Sequence, residues 1–213
     1  MLAQIVLFDG FDPLDVVAPY EVLHAGGLAA GGALTVELVS AEGSRDVPSG
    51  IPALSLRATG RLDPARARLV VLPGAAGRMP GGPGPDGDDS IPAVLARALG
   101  TGLPPLLDEA MGRPEVCMAT VCGGSLLLAM AGLIGGRPAV THHEGMGALA
   151  DAGASPVAAR VVDDGDLVTA GGVTSGLDLG LYLLERELGP ETALSVERLF
   201  AHERRGVVWR SAA

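Results

Sequence analysis

The chain has 213 residues, of which 48% are apolar, so it is long enough to bury a substantial core as one domain spanning residues 1–213. Its 25 acidic residues outnumber 15 basic ones, and no basic cluster lies outside Arg204–Arg205, so we expect neither a nucleic-acid partner nor an anionic membrane surface. Every basic residue is arginine, which excludes a phosphate-loop lysine, Schiff-base chemistry and pyridoxal attachment.

Predicted strands and helices alternate along the chain. The strands are short runs rich in β-branched residues, at 4–8 (QIVLF), 34–40 (LTVELVS), 67–73 (ARLVVLP) and 115–122 (EVCMATVC). Helices are predicted in DPLDVVAPYEVLHAGG, in the segment ending near Ala131, in HEGMGALADAG, in TSGLDLGLYLLEREL and in PETALSVERLFAHE. The segment ARVVDDGDLVTAGG is typical of a β-hairpin with its turn at DDGD. This alternation predicts an α/β fold with a mainly parallel sheet and helices on both faces.

Residues 73–89, PGAAGRMPGGPGPDGDD, are so rich in glycine and proline that we predict an irregular loop. Two interpretations stay open for it. It is either a surface insertion or a flap beside a site, because loops that leave the carboxyl ends of parallel strands are where α/β proteins bind ligands.

The N-terminal stretch MLAQIVLFDGFD has no basic region, and Asp9 interrupts its apolar run, so we predict no signal peptide and a cytoplasmic protein. Residues 116–136 carry no charge and are long enough to be considered as a membrane span. The interior pair Gly123–Gly124 argues against a span. The two cysteines, Cys117 and Cys122, point to opposite faces of an extended segment, which predicts two free thiols and a reducing compartment.

The sequence TVCGGSLLLAM predicts a strand, a tight turn at Cys122 and a helix that starts in Gly123–Gly124. Small neighbours allow such a sharp turn, and the arrangement is a nucleophile elbow with the cysteine in a strained backbone conformation. Because the sulfur would lie at a helix N-terminus, we expect the pKa of Cys122 to fall below the usual value of about 8.5. Cys117 is interpreted as a buried, inert cysteine.

Four segments in order resemble the ThiJ/PfpI superfamily: PLDVVAPYEVL, VVLPGAAG, VCGGSLLLAMAGLIGGRPAVTHH and LVTAGGVTSGLDLGLYLLE. Within it, the sequence is most similar to isocyanide hydratase and to the amidotransferase-like domains of AraC-type regulators. The resemblance covers nearly the whole chain and implies a flavodoxin-like three-layer sandwich. It also implies a homodimer and a small-molecule substrate.

The resemblance assigns the nucleophile to Cys122 and an acidic partner of the sulfur to Asp15. A carboxyl group there would accept the thiol proton or donate a proton to a reacting carbon. A helix N-cap is the structural alternative for Asp15. The backbone amides of Ala75 and Gly123 are implied as the oxyanion donors, with Gly74 and Val173 as further substrate-binding residues.

Two positions depart from the family pattern. Ala75 stands where glycine is usual, but an amide donor survives a side-chain change. Gly123 stands where isocyanide hydratases carry threonine and PfpI-type proteases carry histidine, so the proton handling of that side chain is missing.

His142 in VTHH matches a histidine near the cysteine in many relatives, and it is either a catalytic helper or simply a hydrogen-bonded residue at a strand end. The histidines form no metal-ligand pattern with either cysteine, so we expect no metal and no cofactor.

Three functions remain open: an isocyanide hydratase-like lyase, another cysteine hydrolase or deglycase, and a non-enzymatic redox or ligand sensor. Because no helix-turn-helix segment follows RRGVVWRSAA, the regulator interpretation would require a separate partner.

Overall fold

The computed structural model describes residues 1–78, 87 and 89–211 of the chain. The predicted Gly/Pro-rich loop at 73–89 falls largely on residues outside this description. No helix in the described part of the chain is long and apolar enough to cross a membrane.

Eight strands of the described residues form one sheet in the order β12-β10-β11-β7-β6-β1-β2-β5. Their bounds are β1 Leu2–Leu7, β2 Thr35–Ser40, β5 Gly60–Arg61, β6 Leu69–Leu72, β7 Cys117–Val121, β10 Val161–Asp164, β11 Leu167–Ala170 and β12 Trp209–Arg210. Strand β1 pairs in parallel with β2 and β6, and β7 pairs in parallel with β6 and β11. The DDGD hairpin is confirmed, because β10 pairs with β11 in antiparallel register.

Seven helices lie in the described residues: α1 Pro13–Ala29, α2 Ile91–Leu99, α3 Leu103–Met111, α4 Gly124–Met130, α5 Met146–Asp151, α6 Ser175–Leu188 and α7 Pro190–Phe200. Helices α1, α6 and α7 pack against one another. The predicted helix HEGMGALADAG is a 3-10 turn at His143–Gly145 followed by α5.

The sequence analysis missed several elements. Helices α2 and α3 follow the Gly/Pro-rich segment and were not predicted. Two small sheets were also missed, one made of β3 Arg45–Pro48 and β4 Ser55–Ala58, the other of β8 Pro138–Ala139 and β9 Ser155–Pro156. These strands are too short to show a period of alternation.

The core lies around the central strands, where β6 and β7 are buried along their whole length. Strands covered on both faces favour apolar residues on both faces, which is why LVVL is a continuous apolar run and CMATV has only Thr120 as a polar residue. Because parallel strands end at the same edge, the turns after β1, β6 and β7 meet at one place, and the candidate site forms there.

Candidate active site

Cys122 lies in the turn between β7 and α4 with a φ of 52°, in the left-handed region that non-glycine residues rarely adopt. The strained elbow predicted from the VCGG sequence is therefore confirmed. Such a conformation persists only where the surrounding structure holds it in place.

Hydrogen bonds from two other segments of the chain hold the Cys122 backbone. Its N–H is shared between the carbonyl oxygens of Ala170 (3.0 Å) and Gly171 (2.9 Å). Its carbonyl oxygen accepts from the hydroxyl of Thr141 at 2.7 Å and lies 3.3 Å from Ser125 Oγ, whose shorter hydrogen bond goes to the Val140 carbonyl oxygen at 2.6 Å. Both hydroxyl residues are buried, and the sequence analysis missed them because only the fold brings Thr141 beside the elbow. They help to hold the Cys122 backbone in its turn conformation.

Burial raises the pKa of the Cys122 thiol to about 12; a negative charge at Asp15 raises it further, and the Gly123 N–H opposes the rise. The expected lowering of this pKa is therefore wrong for the resting site. The physical reason is that the hydrogen bond from the Gly123 N–H does not outweigh the loss of water around the sulfur.

Asp15 is fully buried in the first turn of α1. Its Oδ2 accepts a hydrogen bond from the Gly74 N–H at 2.9 Å, whereas its Oδ1 has no partner among the described residues. The helix cap is Asp12, whose side chain accepts from the Leu14 N–H at 2.9 Å. The alternative interpretation of Asp15 as the N-cap is therefore wrong.

Burial raises the pKa of the Asp15 carboxyl well above its ordinary value, the nearby Asp12 charge adds to the rise, and the Gly74 N–H opposes it. A negative charge on Asp15 would raise the pKa of the Cys122 thiol, so the two groups lie close enough to interact electrostatically. Burial thus favours the protonated form of the Asp15 carboxyl. An unpartnered, protonated carboxyl oxygen is suited to deliver a proton to a bound molecule.

Ala75 and Gly123 lie next to each other beside Cys122. Ala75 forms an antiparallel bridge with Phe11, but the bridge hydrogen bonds are made by its neighbours, from Asp12 N to Gly74 O and from Ala76 N to Gly10 O. The Ala75 N–H therefore makes neither of these two hydrogen bonds. A β-carbon on Gly123 would lie 3.7 Å from the Ala75 nitrogen, so the two backbone segments approach each other closely.

The cavity in front of Cys122 has a volume of about 280 Å³. Its lining is Asp12, Ala75, Ile91, Pro92, Cys122, Gly123, Leu126, Thr141, His142, Glu144, Gly145, Ala148 and Val173. The lining combines a sulfur and two amide donors with mainly apolar side chains, which is the composition of a small-molecule site. A larger groove of about 490 Å³ near Arg61 has neither cysteine nor histidine among its described lining residues.

The structure brings most of the predicted site residues together. Cys122, Ala75, Gly123, His142 and Val173 line this cavity. Gly74 and Asp15 are not among the described lining residues, and the Gly74 N–H donates a hydrogen bond to Asp15. Ile91 and Pro92 of α2 also line it, and the sequence analysis could not place them because α2 itself was missed.

His142 lies in the segment between β8 and the 3-10 turn. Its Nδ1 accepts from the Glu144 N–H at 3.4 Å, and its ring lies 4.2 Å from that of His143. No direct hydrogen bond joins it to Cys122 among the described contacts. Its assignment as a catalytic helper therefore stays a prediction.

We expect Cys122 to react with iodoacetamide at least about tenfold faster than Cys117, although burial raises the pKa of Cys117 to only about 11. The accessibility of the sulfur to the reagent sets the order of the two labelling rates. Cys122 lines the cavity, whereas Cys117 is buried in β7. With a thiol pKa near 12, the Cys122 rate should rise about tenfold per pH unit between about pH 7 and 9. Mass spectrometry after brief labelling measures both rates, and equal labelling would contradict the assignment.

Residues 107–186 match the DJ-1/PfpI family. The chain is 40% identical to the isonitrile hydratase of Pseudomonas putida over 106 residues, which cover 46% of this chain and 46% of that protein. It is 35% identical over 147 residues to an uncharacterized protein in the cpoL 5′ region of Streptomyces lividans, with 68% of this chain and 90% of that one covered.

The crystal structure of a ThiJ/PfpI family protein from Pseudomonas syringae superposes with a TM-score of 0.76 at 23% identity, and the match covers 96% of this chain and 76% of that one. The predicted flavodoxin-like α/β sandwich is therefore confirmed. The chain spans less than half the length of the isonitrile hydratase (46%) and of DJ-1 homolog A from Arabidopsis thaliana (44%).

Proposed function

This chain belongs to the DJ-1/PfpI family, and from that premise we propose that it is a cysteine-dependent enzyme that hydrates isocyanides to N-substituted formamides. The observation that carries the proposal is the Asp15 carboxyl, which is buried near Cys122 with one oxygen unpartnered among the described residues. We also propose that residues 1–213 form a single domain that works in the cytoplasm as a homodimer.

In the first step the Cys122 sulfur attacks the terminal carbon of R–N≡C, and a carbon–sulfur bond forms. Asp15 donates its proton to that carbon and takes up the proton released by the thiol, so the carboxyl group is restored. The product is a thioimidate, R–N=CH–S, on Cys122. A protonated Asp15 suits this step because isocyanide carbon becomes basic as the sulfur adds to the triple-bonded centre.

In the second step a water molecule adds to the thioimidate carbon. The Ala75 and Gly123 amides would bind the oxygen of the tetrahedral adduct, and their position beside each other supports this role. The carbon–sulfur bond then breaks, the sulfur regains a proton and R–NH–CHO leaves. The sum of both steps is the addition of one water molecule to one isocyanide.

The cavity supports a small, uncharged R group. Ile91, Pro92, Leu126 and Val173 present apolar surface around the sulfur, and the volume of about 280 Å³ accommodates a small aliphatic or cyclic substituent. Asp12 and Glu144 are the charged side chains of the described lining, so a carboxylate on the substrate would be repelled.

The proposal is tested by incubating a panel of small alkyl isocyanides with the protein and measuring N-formyl products by chromatography. We expect turnover by the wild type and none by Cys122→Ala. The Cys117→Ala protein is the matched control, because it removes the other thiol and leaves the cavity intact. Formamide production at the wild-type rate by Cys122→Ala would refute the proposal.

A ligand sensor is the second candidate, since the sequence also resembles the amidotransferase-like domains of AraC-type regulators. The missing side chain at Gly123 favours it, because the threonine of isocyanide hydratases is absent. A redox sensor would also use the Cys122 thiolate, whose formation the raised pKa of about 12 disfavours for oxidation and for nucleophilic attack alike. Tight binding of isocyanides without turnover would favour the ligand sensor.

A further inference from the structure

We propose that His142, His143 and Glu144 form a binding site for a divalent transition-metal ion, with zinc as the preferred ion, at the mouth of the Cys122 cavity. No metal was expected from the sequence, because the histidines form no metal-ligand spacing with either cysteine. The proposed site needs neither cysteine, and metal binding does not rest on the proposed hydratase activity.

The geometry of the three side chains carries the inference. One ligand atom of each residue lies within 4.8 Å of those of the other two. The Nδ1 atom of His142 lies 3.8 Å from Oε2 of Glu144, and the two imidazole rings lie 4.2 Å apart. Tetrahedral zinc with bonds of about 2.0–2.1 Å needs ligand atoms about 3.3 Å apart. Rotation of the exposed His143 and Glu144 side chains can bring the ligand atoms from their present separations to the distance that zinc needs.

The backbone explains how three consecutive residues converge. His142 is extended, with a φ of −54° and a ψ of 141°, and the chain then turns into the 3-10 segment His143–Gly145. This change of direction brings neighbouring rings to the same side, whereas a continuous strand would point them to opposite faces. The hydrogen bond from the Glu144 N–H to His142 Nδ1 is long at 3.4 Å, so a metal ion displaces it at small cost.

The donor set suits zinc. Two imidazoles and one carboxylate are the ligands of open zinc sites, in which a fourth position is left for water or another small ligand. The charge around the cluster also favours a cation. Asp12 and Glu144 line the same cavity, its described lining has no arginine, and the chain carries a net charge of −10.

A zinc ion bound by His142, His143 and Glu144 would affect access to the Cys122 cavity. His142 and Glu144 line the Cys122 cavity, whereas His143 lines a neighbouring groove of about 400 Å³. An ion held by all three therefore lies between the two openings. We infer that zinc narrows the entrance and slows the reaction of Cys122 with molecules from solution.

The test is a calorimetric titration of tag-free protein with zinc chloride. We expect one site in the wild type and in Cys122→Ala. In His143→Ala and in Glu144→Gln the affinity should fall at least about tenfold, the least expected from a lost ligand. His24→Ala is the matched control, since His24 stacks on Tyr20 in α1 and is not one of the three ligands.

The second readout is the rate of iodoacetamide labelling of Cys122. Zinc should slow it in the wild type and in His24→Ala, but not in His143→Ala at the same zinc concentration. Absence of zinc binding in the wild type, unchanged affinity in His143→Ala, or loss of the site in Cys122→Ala would each overturn the proposal. The last result would mean that the sulfur holds the ion. Because Cys122→Ala is expected to be inactive but to bind zinc, failure of the hydratase proposal leaves this test unaffected.

Discussion

Replacing Asp15 by asparagine is expected to lower isocyanide turnover by roughly 10²- to 10⁴-fold, the range typical of lost general acid–base catalysis. Asparagine has nearly the same shape and keeps an oxygen that can accept from the Gly74 N–H, which now donates to Oδ2 at 2.9 Å. It has no exchangeable carboxyl proton to deliver to the isocyanide carbon. The measurement is the rate of formamide production at saturating substrate.

The same substitution should not lower the stability of the fold. The pKa of Asp15 is raised in the folded protein, so the stability it contributes is present at low pH and is lost as the pH rises through the folded pKa. Asparagine does not ionise. The free energy of unfolding of Asp15→Asn should therefore increase relative to the wild type as the pH rises above the ordinary pKa of an aspartate, as measured by urea denaturation.

Asp12→Asn is the matched control, because it also removes one carboxylate near the cavity. Asp12 caps α1 through its hydrogen bond to the Leu14 N–H, and asparagine caps a helix about as well. We expect this variant to retain turnover within a few-fold of the wild type. Wild-type turnover by Asp15→Asn would instead reduce Asp15 to a structural role and favour the ligand-sensor function.

Gly124→Ala is expected to destabilise the protein by at least about 1–3 kcal/mol, the usual range for overpacking a core. A β-carbon on Gly124 would lie 2.3 Å from the Leu72 carbonyl oxygen and 3.1 Å from the Pro73 carbonyl oxygen. Both contacts are with backbone at the end of β6, so neither can move aside as a flexible side chain would. Helix α4 would have to shift, and the Cys122 elbow with it. Urea denaturation and the formamide assay report the two effects.

Gly123→Ala is the control one residue away. A β-carbon there would lie 3.5 Å from the Gly74 Cα and 3.9 Å from Leu95 Cδ1, which are ordinary contact distances. Gly123 has a φ of −68°, which alanine adopts without strain, so the variant should be as stable as the wild type or more stable by up to about 1 kcal/mol. Equal stability of Gly124→Ala and Gly123→Ala would contradict the close approach of α4 to β6.

Gly123 and Gly124 show which features of the elbow can be predicted from the sequence. A glycine pair after a buried strand predicts a sharp turn, and the φ of 52° at Cys122 confirms it. The pair does not reveal that Gly124 is required by contact with Leu72 while Gly123 has room for a side chain. That difference depends on a strand some fifty residues earlier in the chain.

The sequence by itself determined the α/β class, the central strands and the DDGD hairpin, because buried parallel strands require apolar runs and a tight turn requires glycine. It did not predict α2, which follows the Gly/Pro-rich segment and supplies Ile91 and Pro92 to the cavity. The resemblance supplied Asp15 as the partner of the sulfur, but the N-cap interpretation could be discarded only once the structure showed that Asp12 caps α1.

Only the tertiary structure decided the protonation of the site. Local sequence predicts a cysteine at a helix N-terminus, and from that alone a lowered thiol pKa follows. The folded protein raises it to about 12, because segments from several parts of the chain remove water from the sulfur and bring the Asp15 carboxyl near it. Backbone turns are set by neighbouring residues, whereas desolvation and electrostatic coupling depend on every segment that packs around a group.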